Sequence, residues 1–423
     1  MVKLKNKSSQ DTEKLLENNF LRELLTQEHQ AKNANVKAYT FMKHSPLIKV
    51  SNQRLEAIHD CGNFVKWALE PEKKKKKLLY IETCDSRFCA RCQRVEAMKN
   101  GIKLYTLANY LRLERDKRFL FVTLTVPNVK GDHLKAEISR INKAFDSMIR
   151  RAQFKQFTGF VAKLEITYNR KADTYHPHLH VILSADKGYF KKSNKNYLTR
   201  DDLLAHWVSA TGDDSITQVD IRAIRDKNGT KQLEKSILEL CKYEAKSGDF
   251  TLNQGVFETF YFAISGAKML RYGREFRELG KVYDVDEFGL FEDYKPQSEN
   301  FDKFTCKSVS TWHFKDKEYK TAIQELTMEE RLLLKKKTTF KSYNQFLTMV
   351  KRAKKDELAL SNDLARFTTR LENQIARFKP ALTIETTQAR IRKTKAKLGR
   401  VRAKLSVYDT IDKEFRPYFK RKK

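Results

Sequence analysis

Nowhere does the sequence hold a run of about 18 apolar residues, the length a helix needs to cross a bilayer, so no spanning helix is expected. The first residues are rich in lysine and lack the apolar stretch of a secretory signal. That predicts a cytoplasmic protein whose cysteines stay reduced unless a metal holds them. Acidic side chains are in deficit: 53 Asp and Glu face 85 Lys and Arg across 423 residues, a formal charge of +32. An excess this large excludes an ordinary enzyme of a small neutral substrate. It calls for a polyanionic partner, nucleic acid before membrane. Histidine is scarce as well, with nine in the chain.

Three of those histidines fall within five residues, in Tyr175-His176-Pro177-His178-Leu179-His180-Val181-Ile182-Leu183. On a β-strand, positions i, i+2 and i+4 put all three imidazoles on one face, with Tyr175, Leu179, Val181 and Leu183 on the other. The preceding run, Phe160 to Tyr168, is β-branched and aromatic and reads as a second strand, with Asn169 to Asp173 as the turn. If the loop is even, so that Asn169 faces Thr174, Glu165 lies opposite His178 and Lys163 opposite His180. An odd loop would carry Glu165 to the wrong face. Pro177 suits a central ladder poorly, which leaves His178 and His180 as the firmer pair. Two histidines and a carboxylate with open positions suit a divalent cation, Mg or Mn, that must also hold a substrate oxygen. His176 either ligates or orients a ligand.

Four of six cysteines cluster upstream, as Cys61, Cys84, Cys89 and Cys92. In a reducing compartment they suit a structural zinc, held by four thiolates or by three with His59. Lys73 to Lys77 is a run of five lysines, either a solvated loop or a phosphate contact.

Taken in order, residues 1–57 read as a polar N-terminal arm and 58–114 as the Cys-rich segment with a helix. Residues 115–285 hold a strand at Arg118 to Asn128, an amphipathic helix on Leu134, Ile138, Ile141, Phe145 and Met148, the hairpin, a helix near Asp201, and a strand at Val219 to Ile224. A helix on Leu233, Ile237, Leu240 and Cys241 follows, with Glu239 and Tyr243 at i and i+4. This order predicts an α+β domain: an antiparallel sheet with helices on one face and the other face free for DNA and metal. Residues 286–325 read as an irregular linker and 326–423 as a basic helical region. There Leu360, Leu364, Phe367, Leu371 and Phe378 form one stripe, and Ile384, Ile391, Leu398 and Leu405 recur every seven residues beyond Pro380. Two stripes joined by a break predict an antiparallel all-α hairpin, for DNA contact or self-association.

His178-Leu179-His180 resembles the His-hydrophobic-His motif of the HUH endonucleases. With Glu165-Ile166-Thr167-Tyr168-Asn169 and Glu239-Leu240-Cys241-Lys242-Tyr243, the chain from about 58 to 285 resembles the Rep_1-type rolling-circle plasmid replication initiators. The resemblance implies a ferredoxin- or RRM-like HUH nicking domain. It also implies Tyr243 as the nucleophile, Glu239 as the residue that assists a later hydrolysis, and a 5′-phosphotyrosine adduct with a 3′-hydroxyl primer. Lys242, Lys246 and Lys163 are candidate phosphate contacts. The implied partners are duplex and single-stranded origin DNA, with host helicase and polymerase. Two other classes stay open: an HUH relaxase or transposase, and a non-catalytic zinc-containing nucleic-acid-binding protein.

Overall fold

A computed structural model describes residues 19–70, 75–191, 193–224, 231–241, 250–284, 290–296, 304–335, 343–377 and 379–421. In chain order the elements are α1 (Asn19–His44), α2 (Asn52–Asp60), β1 (Phe64–Glu70), β2 (Lys75–Ile81), α3 (Ala90–Glu114), β3 (Lys117–Thr125), α4 (Leu134–Met148), β4 (Phe157–Asn169), β5 (Thr174–Asp186) and α5 (Arg200–Thr211). They continue as β6 (Val219–Ile224), α6 (Lys231–Leu240), α7 (Gln254–Ile264), β7 (Leu270–Arg274), α8 (Glu275–Asp284), β8 (Cys306–His313), β9 (Glu318–Glu325), α9 (Met328–Lys335), α10 (Tyr343–Ala376) and α11 (Ala381–Arg421). Two compact units result. One runs to Gly273 and takes in Lys295–Lys336; the other comprises Arg274–Tyr294 and the chain from Lys337 on.

The first unit carries a five-stranded sheet in the order β6-β3-β5-β4-β7. The β4–β5 loop is even, so Asn169 pairs with Thr174, Glu165 with His178 and Lys163 with His180. The turn is built locally: Asn169 Oδ1 accepts from the Lys171 and Ala172 amides, and Asp173 takes a left-handed φ of 48°. Alternation sends Leu120, Val122 and Leu124 of β3 to the same face as Leu179, Val181 and Leu183 of β5. That face packs on the apolar stripe of α4, on Trp207 of α5 and on Phe257 and Phe260 of α7.

Pro177 causes no break. Tyr175 exchanges both backbone bonds with Val129, on the β3 side, so Pro177, two residues on, turns its missing donor to the same side. β3 pairing ends there, at Thr125 opposite His178, so no ladder bond is lost.

The second face is less open than expected. Phe121, Val161 and Ile182 point to it and are buried. Helix α6 packs against α3 and β6, and α3 against β3. The cause is the stripe Leu233, Ile237 and Leu240 of α6, which must bury itself somewhere and does so here. β7, at the edge beside β4, was not anticipated; its sequence, Leu-Arg-Tyr-Gly-Arg, has no apolar alternation to announce it.

A second sheet, β2-β1-β8-β9, is antiparallel throughout. Residues 286–325 are therefore not an irregular linker: 306–325 supply two of its strands. Their signal was thin because polar residues occupy most positions of both strands, and their partner β1 lies far upstream. Nor is α1 a loose arm. Phe20 and Leu24 pack on Val65, Trp67 and Leu69 of this sheet. In the second unit α10 and α11 pair antiparallel, with Glu357 and Arg402 bridging them at 2.8 Å and Ile391, Leu398 and Tyr408 buried.

Candidate metal centre and its surroundings

Three donors converge on the second face of the five-stranded sheet. Glu165, His178 and His180 each offer one ligand atom, all within 4.8 Å of one another. Glu165 Oε2 stands 3.2 Å from His180 Nε2 and 3.8 Å from His178 Nε2. The other ring nitrogens are tied elsewhere: Thr123 Oγ1 lies 3.2 Å from His180 Nδ1, and the His176 carbonyl 3.3 Å from His178 Nδ1. Both imidazoles thus turn Nε2 inward, the arrangement in which an outer partner fixes ring and tautomer. Burial alone would raise the Glu165 carboxyl. Hydrogen bonds from His178 and His180 outweigh it and hold the group well below the usual carboxylate range.

This donor set fits a divalent cation. It is compact and partly buried, and it mixes imidazole with carboxylate while leaving coordination positions open. His176 stands beside the cluster rather than in it, its ring 5.3 Å from that of His178. Burial, then the neighbouring His178, lowers its pKa. Thr123 is a candidate orienting residue to which the sequence alone assigns no role. Only the pairing of Thr123 with His180 in the β3–β5 ladder gives it a role.

Glu239, on α6, pairs with Arg222 of β6 at 2.9 Å, and the Arg222 guanidinium sits 4.7 Å from the centre of the Phe121 ring. Arg222 gives no sign in the sequence, because its partner depends on where α6 lands. Cys241 follows α6, and burial pushes its thiol up to about 12. Tyr243, Lys242 and Lys246 lie outside the described residues. Lys163 is buried on the cluster's face, opposite His180.

The four upstream cysteines also come together. Cys61 Sγ lies 3.4 Å from Cys89 and 3.6 Å from Cys92, and Cys84 lies 3.6 Å from Cys92. All are buried and none forms a disulfide. A tetrahedral zinc–thiolate site has edges of about 3.8 Å, so the four sulfurs fit it. Cys89 caps α3 and Cys92 sits in its first turn, where the helix dipole favours a thiolate. Hydrogen bonds from Cys61, Cys84 and Cys89 pull the Cys92 thiol far down. His59 is not a fourth ligand candidate: its ring stacks on Phe314 at 4.4 Å and its Nδ1 meets Asp60 at 2.9 Å.

Two buried cations flank the sulfurs. Lys32 of α1 donates to the His59 carbonyl at 2.7 Å, the Cys61 carbonyl at 3.0 Å and Asn63 Oδ1 at 2.6 Å. Burial lowers its amine to about 8. Arg91 pairs with Glu28 of α1 and donates to Tyr319 Oη at 2.9 Å.

Residues 75–320 match the replication protein family Rep_1. "Protein rep" of Staphylococcus aureus is 34% identical over 206 residues, 48% of this chain and 87% of that protein. "Protein rep" of Lactiplantibacillus plantarum is 30% identical over 285 residues, 63% of this chain and 88% of the relative. "Protein rep" of Streptococcus pneumoniae serotype 2 is 31% identical over 230 residues, 54% and 71% of the two chains. No solved structure matches. The matched span holds Glu165, His178, His180, Glu239 and Tyr243; α1 and Cys61 precede it, and α10 and α11 follow it.

Proposed function

The chain belongs to the Rep_1 replication protein family, and from that premise we propose that it initiates rolling-circle replication of a plasmid by nicking one strand of the origin. The convergence of Glu165, His178 and His180 on one face of the sheet carries this reading. In it the five-stranded sheet is an HUH domain of ferredoxin-like type. Those three residues would hold a divalent cation, Mg or Mn, with His176 steadying His178. Such a cation, when bound, acts as a Lewis acid toward a non-bridging phosphate oxygen.

Tyr243 supplies the nucleophile. Its oxygen bonds to phosphorus, its phenolic proton passes to water, and the bond from phosphorus to the 3′ oxygen breaks. That oxygen takes up a proton and leaves as a 3′-hydroxyl, the primer for synthesis by host polymerase behind host helicase. The 5′-phosphate stays esterified to Tyr243, so a later 3′-hydroxyl can reseal the strand without a nucleotide cofactor. Glu239, held by Arg222, takes a proton from the water that ends the last round. Lys163, Lys242 and Lys246 contact phosphate, the four cysteines hold a structural zinc, and the reaction takes place in the cytoplasm.

The test is incubation with supercoiled DNA carrying the candidate origin and Mg²⁺ or Mn²⁺. A relaxed product bearing covalent protein is expected. Intact supercoils, with metal present and DNA bound, would sink the nicking assignment.

A further inference from the structure

A cleft of about 1220 Å³ is lined by residues around the cysteines, by Lys163 of β4 and by the segment 265–272. We propose that this cleft binds the single-stranded DNA that flanks the nick. The inference deepens the nicking function and rests on it.

The size favours a chain over a small molecule, whose sites run to about 300–1,000 Å³. The charge favours a polyanion. Lys49, Arg54, Arg87, Lys99, Lys163 and Lys268 line the cleft. Two acidic residues line it as well, Asp85 and Glu96, and Glu96 accepts from Asn100 at 3.1 Å. Apart from the buried Lys163, the basic residues divide into two kinds. Arg54 and Arg87 are committed to the walls: Arg54 donates to the Cys84 carbonyl at 2.7 Å, and Arg87 to the Ala267 carbonyl at 3.0 Å. Lys49, Lys99 and Lys268 are exposed and bond to no described residue, so their ammonium groups are available to phosphates.

An aromatic surface accompanies the charge. Tyr261, half-buried, stacks on buried Phe88 with centroids 4.7 Å apart. A cationic groove with an aromatic ring to stack on is how proteins hold single strands without reading sequence. Lys163 joins the cleft to the face of the metal cluster: it lines the cleft and stands opposite His180 in the ladder.

The probe is fluorescein-labelled oligothymidylate of about 16 nucleotides, near the upper site size for such grooves, titrated by anisotropy in a salt series. The protein is the full chain carrying Tyr243→Phe, with metal omitted, so binding is read without chemistry. Lys99→Glu with Lys268→Glu should weaken binding at least about tenfold. The slope of log K on log salt should shrink by about 1.4, about 0.7 for each lost single-strand phosphate contact. Lys155→Glu with Lys195→Glu, the same charge change at exposed sites outside the cleft, should cost less than about twofold. Tyr261→Leu should weaken binding without moving the slope. Equal losses from the two lysine pairs, or no loss from the cleft pair, overturn the proposal. Cleft-dependent binding, with the unsubstituted chain forming no adduct on origin DNA in Mg²⁺ or Mn²⁺, would defeat the nicking function and leave the cleft standing. Nicking with no effect of the cleft pair on binding would do the reverse.

Discussion

His180 is gripped at both ring nitrogens, by Thr123 at one and Glu165 at the other, so its pose is set before any ion arrives. Thr123→Val keeps the shape and removes the hydroxyl. It should weaken Mn²⁺ binding by about 10–100-fold, the usual loss of an outer partner, as read by calorimetric titration. His180→Ala should cut nicking by at least about 10²–10³-fold while duplex binding, carried by many lysines and arginines, persists. Cleavage by that variant in chelated buffer would contradict the metal assignment. On α6 the expected effects separate. Tyr243→Phe should abolish both nick and adduct. Glu239→Ala should still nick, then fail to release, so that long multimeric single strands accumulate on a gel. The Arg222–Glu239 pair is half-exposed and worth at most about 1 kcal/mol. Arg222→Gln should therefore leave the melting temperature almost unchanged yet share the release defect. If it also stopped the first nick, Arg222 would be acting on the scissile phosphate. The ligand positions were legible because a period of two fixes the face and an even loop fixes the register. Thr123 and Arg222 were not, since each acts through a partner brought up by another strand or by α6.

At the level of elements, the hairpin β4–β5 and strand β6 follow directly from alternation, and α4 from its apolar spacing. What hid were edges and cover. β7 is basic and short, and it docks because Gly273 carries no side chain where the Phe160 ring lies. Gly273→Ala would drive a methyl into that ring, and overpacking of this kind costs about 1–3 kcal/mol. Thermal melting should show the loss, and Phe160→Leu in the same chain should recover part of it. The docking of helix α1, rather than its helicity, was hidden for a different reason. Much of what it buries is polar, Glu28, Lys32 and Asn35, and polar residues read as surface until their partners are in place.

Across the whole molecule, the cysteine module is the junction between α1, α2 and the four-stranded sheet. Structural zinc at four thiolates contributes about 10–16 kcal/mol to folding in small modules. Protein purified without added zinc should contain one equivalent by metal analysis, and Cys89→Ser should lose it along with protease resistance of residues 19–92. Unchanged resistance without metal would make the thiols ordinary core residues. The pairing of β1 with β8 has a further consequence, in the order of synthesis. Leu69 pairs with Cys306, so the whole five-stranded sheet is made between the two halves of the smaller one. At about 5–20 residues per second, a ribosome takes roughly 10–50 s to cross that interval. Throughout it the nascent β1–β2 hairpin shows an open edge to its neighbours on the same message. A stalled or truncated chain ending before Cys306 would keep that edge for good. Nonsense mutations there should give inclusion bodies rather than a soluble nicking fragment.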